Sequence, residues 1–146
     1  MKRSWIALAL VGAGLAGCQD SPPAEARTFE YAVGTLDCHP TGLGGAVPKG
    51  RFCTLGITVH NVSDQPTRPG IAFASVYDTA GTAYLPDAVA LVRAGSHLFN
   101  ELAPGARITD RLIYDVPQTS TITSVDLHES PAAPETRINL SERPTT

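Results

Sequence analysis

Three cysteines, four histidines and a scatter of carboxylates are the residues of this 146-residue chain that could do chemistry. Asp37-Cys38-His39 sets a carboxylate, a thiol and an imidazole side by side, the ingredients of a metal site if the sulfur is a free thiolate. The histidines at 39, 60, 97 and 128 include no pair at metal-ligand spacing. A soft copper site draws on methionine and histidine, and Met1 is the sole methionine. Gly95-Ser96-His97 places a hydroxyl beside an imidazole. It lacks the Gly-x-Ser-x-Gly turn that activates a hydrolase serine, so it reads as a surface loop. Asp110 and Asp115 are five apart on an extended segment and point to opposite faces. They cannot flank one bond as paired glycosidase carboxylates do, and Asp126 with Glu129 fares no better. Asp78 with Gly81 is a calcium-loop fragment without the remaining acidic ligands; it reads as a hairpin turn. No catalytic residue, metal or cofactor is expected.

The third cysteine has different surroundings. Leu15-Ala16-Gly17-Cys18 closes an apolar run that begins just after Lys2-Arg3, and the segment resembles the lipobox of bacterial lipoproteins. Basic residues hold the start of such a chain on the cytoplasmic side. Trp5 to Leu15 falls short of the ~20 apolar residues that span a bilayer, and glycines at 12, 14 and 17 weaken it as a permanent helix. Ala16 and Gly17 leave the backbone open to a peptidase. An ordinary secretory signal with an incidental Cys18 is the blander reading. The small residues before Cys18 and the polar, proline-bearing Gln19-Asp20-Ser21-Pro22-Pro23 after it favour lipidation. Each buried methylene adds ~0.8 kcal/mol, so two or more acyl chains anchor stably. The membrane is then a partner through lipid on Cys18.

Cleavage before Cys18 removes residues 1–17 of 146 and leaves 129; loss of Lys2 and Arg3 takes the formal charge from −3 to −5. That mildly acidic balance, with no basic run, argues against nucleic acid and against anionic lipid as an electrostatic partner. With Cys18 acylated, Cys38 and Cys53 remain as an even pair in an oxidising compartment. A disulfide is expected, closing a loop of about 15 residues and contributing on the order of 3 kcal/mol. Two reduced, buried thiols are the alternative.

The elements that position these groups read as strands. Phe29, Tyr31 and Val33 alternate with Glu30 and Ala32. Cys53, Leu55, Ile57 and Val59 alternate with Thr54, Thr58 and His60, a half-buried strand. Asn61-Val62-Ser63-Asp64 supplies turn chemistry. A strand is expected from Ile71 to Tyr77, turning at Asp78-Thr79-Ala80-Gly81 into Ala83-Tyr84-Leu85. Further strands hold Leu112, Tyr114 and Val116, then Val125 with Leu127, and Ile138 with Leu140. Ala88 to Ala94 fits either a helical turn or a strand. Short strands between Gly, Pro, Asn and Asp turns predict an all-β antiparallel sandwich, its core aliphatic with Tyr114 and Phe73 as aromatic members. The expected organisation is a signal peptide over 1–17, a lipidated cysteine and tether over 18–27, the sandwich over 28–142 and a tail over 143–146. Asn61-Val62-Ser63 and Asn139-Leu140-Ser141 match a glycosylation sequon but read as turn and strand residues.

In order, Thr58 to Pro66, Asp78 to Tyr84, Leu102 to Gly105 and Leu112 to Pro117 resemble a family of telokin-like, immunoglobulin-like domains of unknown function. These are found in bacterial secreted proteins and lipoproteins, with an architecture shared with a secreted mycobacterial antigen. The resemblance implies an immunoglobulin-like β-sandwich over roughly residues 29–141. It brings no catalytic residues. Cys38 and Cys53 are too close in sequence for the cross-core bridge of antibody domains, which also packs on a tryptophan.

Between the two cysteines, His39-Pro40-Thr41-Gly42-Leu43-Gly44-Gly45 has no following helix and no lysine-serine pair, so it is not a phosphate loop. Its glycine density predicts an exposed, stapled loop. Such loops carry recognition surfaces, and His39, Thr41, Gly42, Leu43, Gly44 and Gly45 are the candidate binding residues; a plain connection between strands is the alternative. The chain therefore reads as a membrane-anchored, extracytoplasmic, non-enzymatic module that binds an envelope protein or glycan. An envelope hydrolase with a loop-borne site and a structural surface spacer are the other readings.

Overall fold

The computed structural model describes residues 27–128 and 135–141. Cys18 and most of the expected tether, Glu129 and the tail beyond 141 lie outside them. Among the described residues the strands are β1 (Phe29–Asp37), β2 (Arg51–Asn61), β3 (Ala74–Asp78), β4 (Ala83–Tyr84), β5 (Arg107–Val116), β6 (Ile122–Leu127) and β7 (Thr136–Asn139). One helix, α1 (Ala88–Arg93), and a 3-10 turn at His97–Phe99 lie between β4 and β5. The strands form two antiparallel sheets, in the order β1-β2-β5 and β4-β3-β6-β7. The fold is an all-β sandwich.

Period-2 alternation builds the core between the sheets. Cys53, Leu55, Ile57 and Val59 are buried on β2, and β5 sets Tyr114 opposite Cys53 and Leu112 opposite Leu55. Ala74, Val76, Ile122, Val125 and Leu127 are buried apolar residues of the other sheet. Two contacts tie the layers. The Tyr114 hydroxyl donates to the Ala74 carbonyl at 3.0 Å, and Tyr31 stacks on Phe73 with ring centroids 4.2 Å apart. Phe29 is buried too, so aromatic burial extends beyond Tyr114 and Phe73.

Three local expectations are refined. The third strand begins at Ala74, not Ile71, because Gly70 sits at φ +68° and its N–H donates to the Leu98 carbonyl instead of joining a ladder. Ala88 to Arg93 is a helix: the Asp87 side chain accepts from the Ala90 N–H at 3.0 Å, and Ala90 and Leu91 are buried. The last strand ends at Asn139. A second small buried layer lies outside the β1-β2-β5 sheet. Phe52, Thr54 and Ile113 point away from the core side of β2 and β5, yet all are buried.

Candidate functional site

The loop between Cys38 and Gly50 and helix α1 together cover that second layer. β1 and β2 pair with Asp37 opposite Thr54, so the next residue, Cys38, falls opposite Cys53. The two are joined by a disulfide across 15 positions. The bridge lies within one sheet, at the edge where the loop leaves it. Cys53 is fully buried on the same face as Leu55, Ile57 and Val59. Disulfides of this kind persist in oxidising, extracytoplasmic compartments.

From the bridge the loop folds back over β2 and β5 and is held at several points. Arg111 alternates with core residue Leu112, so its guanidinium faces out; it donates to the carbonyls of Thr41 at 3.1 Å and Gly42 at 2.7 Å. Asp115, outward by the same alternation, accepts from the backbone N–H groups of Lys49 at 2.7 Å and Gly50 at 3.0 Å. Leu43 is buried in the second layer. Gly44, at φ +62°, packs so tightly on the carbonyl of Arg93 that a Cβ would collide with it. The expectation of an exposed loop is therefore corrected at Leu43. His39, Thr41, Gly42, Gly44 and Gly45 remain exposed. A shallow groove runs beside them, lined by His39, Pro40, Leu43, Ala46, Pro48 and Phe52 among others.

Arg111 and Asp115 hold this platform by hydrogen bonds, and the Arg93 carbonyl abuts Gly44. The alternation of β5 marks Arg111 and Asp115 as outward-facing; nothing in sequence shows that their partners lie 65 to 70 residues away.

The other groups of chemical interest are engaged separately. Asp37 accepts from the His39 N–H at 2.9 Å, and Cys38, as half of the bridge, has no thiolate to offer a metal. The Ser96 hydroxyl donates to Asp110 at 3.0 Å, and the His97 backbone N–H donates to the same oxygen at 2.8 Å. The His97 imidazole lies 3.4 Å from the Asn100 amide. Asp110 thus fastens a turn, and the Ser96 hydroxyl is given to a carboxylate rather than to an imidazole base. Asp78 accepts from the N–H groups of Ala80 and Thr82 and from the Tyr84 hydroxyl. These bonds, the Thr82 N–H foremost, hold its carboxyl below the ordinary range. Buried Asp126 meets Arg137 through two bonds of 2.7 and 2.8 Å, and Arg137 lies 4.9 Å over the Tyr77 ring. Arg137 holds the Asp126 carboxyl low. Beside them His128 and Glu135 are 3.1 Å apart. No group of three or more His, Cys, Asp or Glu that could hold a metal ion occurs among the described residues.

Asn61 is buried, its amide donating to the carbonyls of Gln65 and Leu102 and its oxygen accepting from Ser63. It ends β2 and fastens the turn that follows, with both amide bonds made inside the protein.

The fold has a known counterpart. The chain is similar in structure to MPT63, a secreted protein from Mycobacterium tuberculosis, with a TM-score of 0.51 and 14% sequence identity over 77% of this chain and 79% of that one. At that identity the likeness is one of fold. No protein-family model matches the chain, and no curated protein matches it in sequence.

Proposed function

We propose that this chain is a lipid-anchored extracytoplasmic module that binds an envelope protein or glycan through the stapled loop at His39, Thr41, Gly42, Gly44 and Gly45. One observation carries the reading: the loop is held by a disulfide, a buried leucine, Arg111 and Asp115 while its polar and glycine residues face solvent. A surface ordered before its partner arrives loses little conformational entropy on binding. Glycines carry no side chain and let a partner approach the backbone closely. The lipobox at Leu15 to Cys18 supports the anchor. The disulfide and the likeness in fold to a secreted protein agree with a site outside the cytoplasm.

Photo-crosslinking in the native envelope tests the binding surface. A photoreactive residue at Thr41 should give a discrete adduct that the same residue at Thr79, on the β3–β4 turn, does not. Equal or absent adducts at Thr41 would overturn the loop as the binding surface.

A further inference from the structure

The most exposed large aliphatic side chains of the described residues gather on one side of the fold. Val47 is 84% exposed, Leu85 69%, and Val89 and Val92 65% each. Val47 and Val89 line one groove, together with Asp87 and Arg93. Leu85 lines the adjoining groove with Lys49, Asp115 and the same Asp87. Val92 follows Val89 by three positions on α1, which makes them surface neighbours. The four residues therefore form one apolar patch across the last part of the stapled loop and the outer side of α1.

Charges around the patch balance. Lys49 and Arg93 stand against Asp87 and Asp115, in a mature chain whose formal charge is −5. Both carboxylates are already occupied, Asp87 by the Ala90 N–H and Asp115 by the N–H groups of Lys49 and Gly50. An acidic domain is repelled from an anionic surface over most of its area; here it offers an electrically neutral, aliphatic side.

We infer that this patch seats the domain on the lipid bilayer that holds its own anchor. The inference rests on the lipid-anchored reading of Cys18. Ten residues separate Cys18 from Phe29, a span of at most about 35 Å. The nine residues of β1 rise about 30 Å, so the tether reaches far enough for the sandwich to lie on its side. A second copy is the weaker occupant. A stable protein interface buries roughly 800 Å² and about 20 residues on each partner, far more than four aliphatic side chains supply. A tethered domain meets its own bilayer at high effective concentration, so a few shallow apolar contacts suffice. In this seating the stapled loop is presented along the membrane surface, and its partner is a membrane-bound molecule.

Nitroxide labels on the lipidated full chain in vesicles of phosphatidylethanolamine and phosphatidylglycerol test this. Labels at Val47→Cys and Val89→Cys should gain oxygen accessibility and lose contact with a water-soluble nickel chelate several-fold relative to Thr79→Cys. Val89→Asp combined with a label at Val47 should return that label to the aqueous level, with the thermal melt unchanged. Aqueous labels at Val47 and Val89, on protein whose Cys18 carries lipid and which floats with vesicles, would overturn the seat while the anchor stands. Spin–spin broadening between copies at Val89 would also overturn it, in favour of a dimer. A Cys18 that mass spectrometry finds free of lipid would overturn the anchor and the seat with it.

Discussion

Tyr114 and Asp126 are polar groups taken out of water by the sheets, and each is tolerated for a different reason. The Tyr114 hydroxyl has a single recipient, the Ala74 carbonyl in the opposite sheet, and burial pushes its ionisation well above the usual phenol range. The folded chain then keeps this proton while the unfolded chain releases it near pH 10, so stability falls as pH rises above about 10. An absorbance titration should show one of the four tyrosines ionising only as the protein unfolds. Tyr114→Phe should remove that component at a cost of about 1 kcal/mol. Asp126 is buried as an anion because Arg137 grips both of its oxygens. With its pKa, like that of Asp78, held below the ordinary 3.8, its contribution is full above about pH 4 and is lost as acid drives the pH through the folded value. Arg137→Ala should move the acid limb of the stability curve to higher pH and destabilise the neutral protein, both visible in urea melts across pH.

Between Cys38 and Gly50 the chain behaves as an element in its own right, without regular secondary structure. The bridge removes loop-closure freedom from the unfolded chain, about 3 kcal/mol at this length. Non-reducing peptide mapping should find Cys38 linked to Cys53, and reduction should lower the melting temperature by roughly 10 °C for a domain of this size. Neighbouring glycines should respond unequally to alanine. Both Gly44 and Gly45 have positive φ, which costs an L side chain about 1 kcal/mol. Only Gly44 faces the Arg93 carbonyl; Gly45 faces open space. Gly44→Ala should therefore cost about 2–4 kcal/mol and Gly45→Ala about 1 kcal/mol, as read from thermal or urea melts. Strands were more legible than this loop. The alternation of Cys53, Leu55, Ile57 and Val59 names one buried face directly, because a strand's side chains repeat every two residues whatever packs on them. The burial of Leu43 has no such period to announce it.

For the molecule as a whole, the anchor and the sandwich make separable claims. Cys18→Ala should shift the protein from the detergent-extracted fraction to the soluble one, or leave it unprocessed; unchanged membrane retention would remove the lipid anchor from the account. Trp5 is the only tryptophan and lies in the segment expected to be cleaved. The purified mature protein should show tyrosine-like emission, with a sheet-dominated far-UV circular dichroism spectrum, since its one described helix has six residues.

Local chemistry decided much of this protein in advance. Period-2 patterning specified the strands, proline and glycine placed the turns, and two cysteines in an oxidising setting specified the bridge. The tertiary structure decided what those elements cover. Phe52 and Ile113 occupy outward positions that alternation alone would leave in solvent. They are buried because the disulfide-closed loop lies beside Phe52 and helix α1 packs over this side of β5. Arg111 and Asp115 became the loop's fasteners, and Val47, Leu85, Val89 and Val92 one patch, through contacts between segments distant in the chain. Short-range sequence pattern records the period of a side chain's direction; which surface it meets depends on how the whole chain closes.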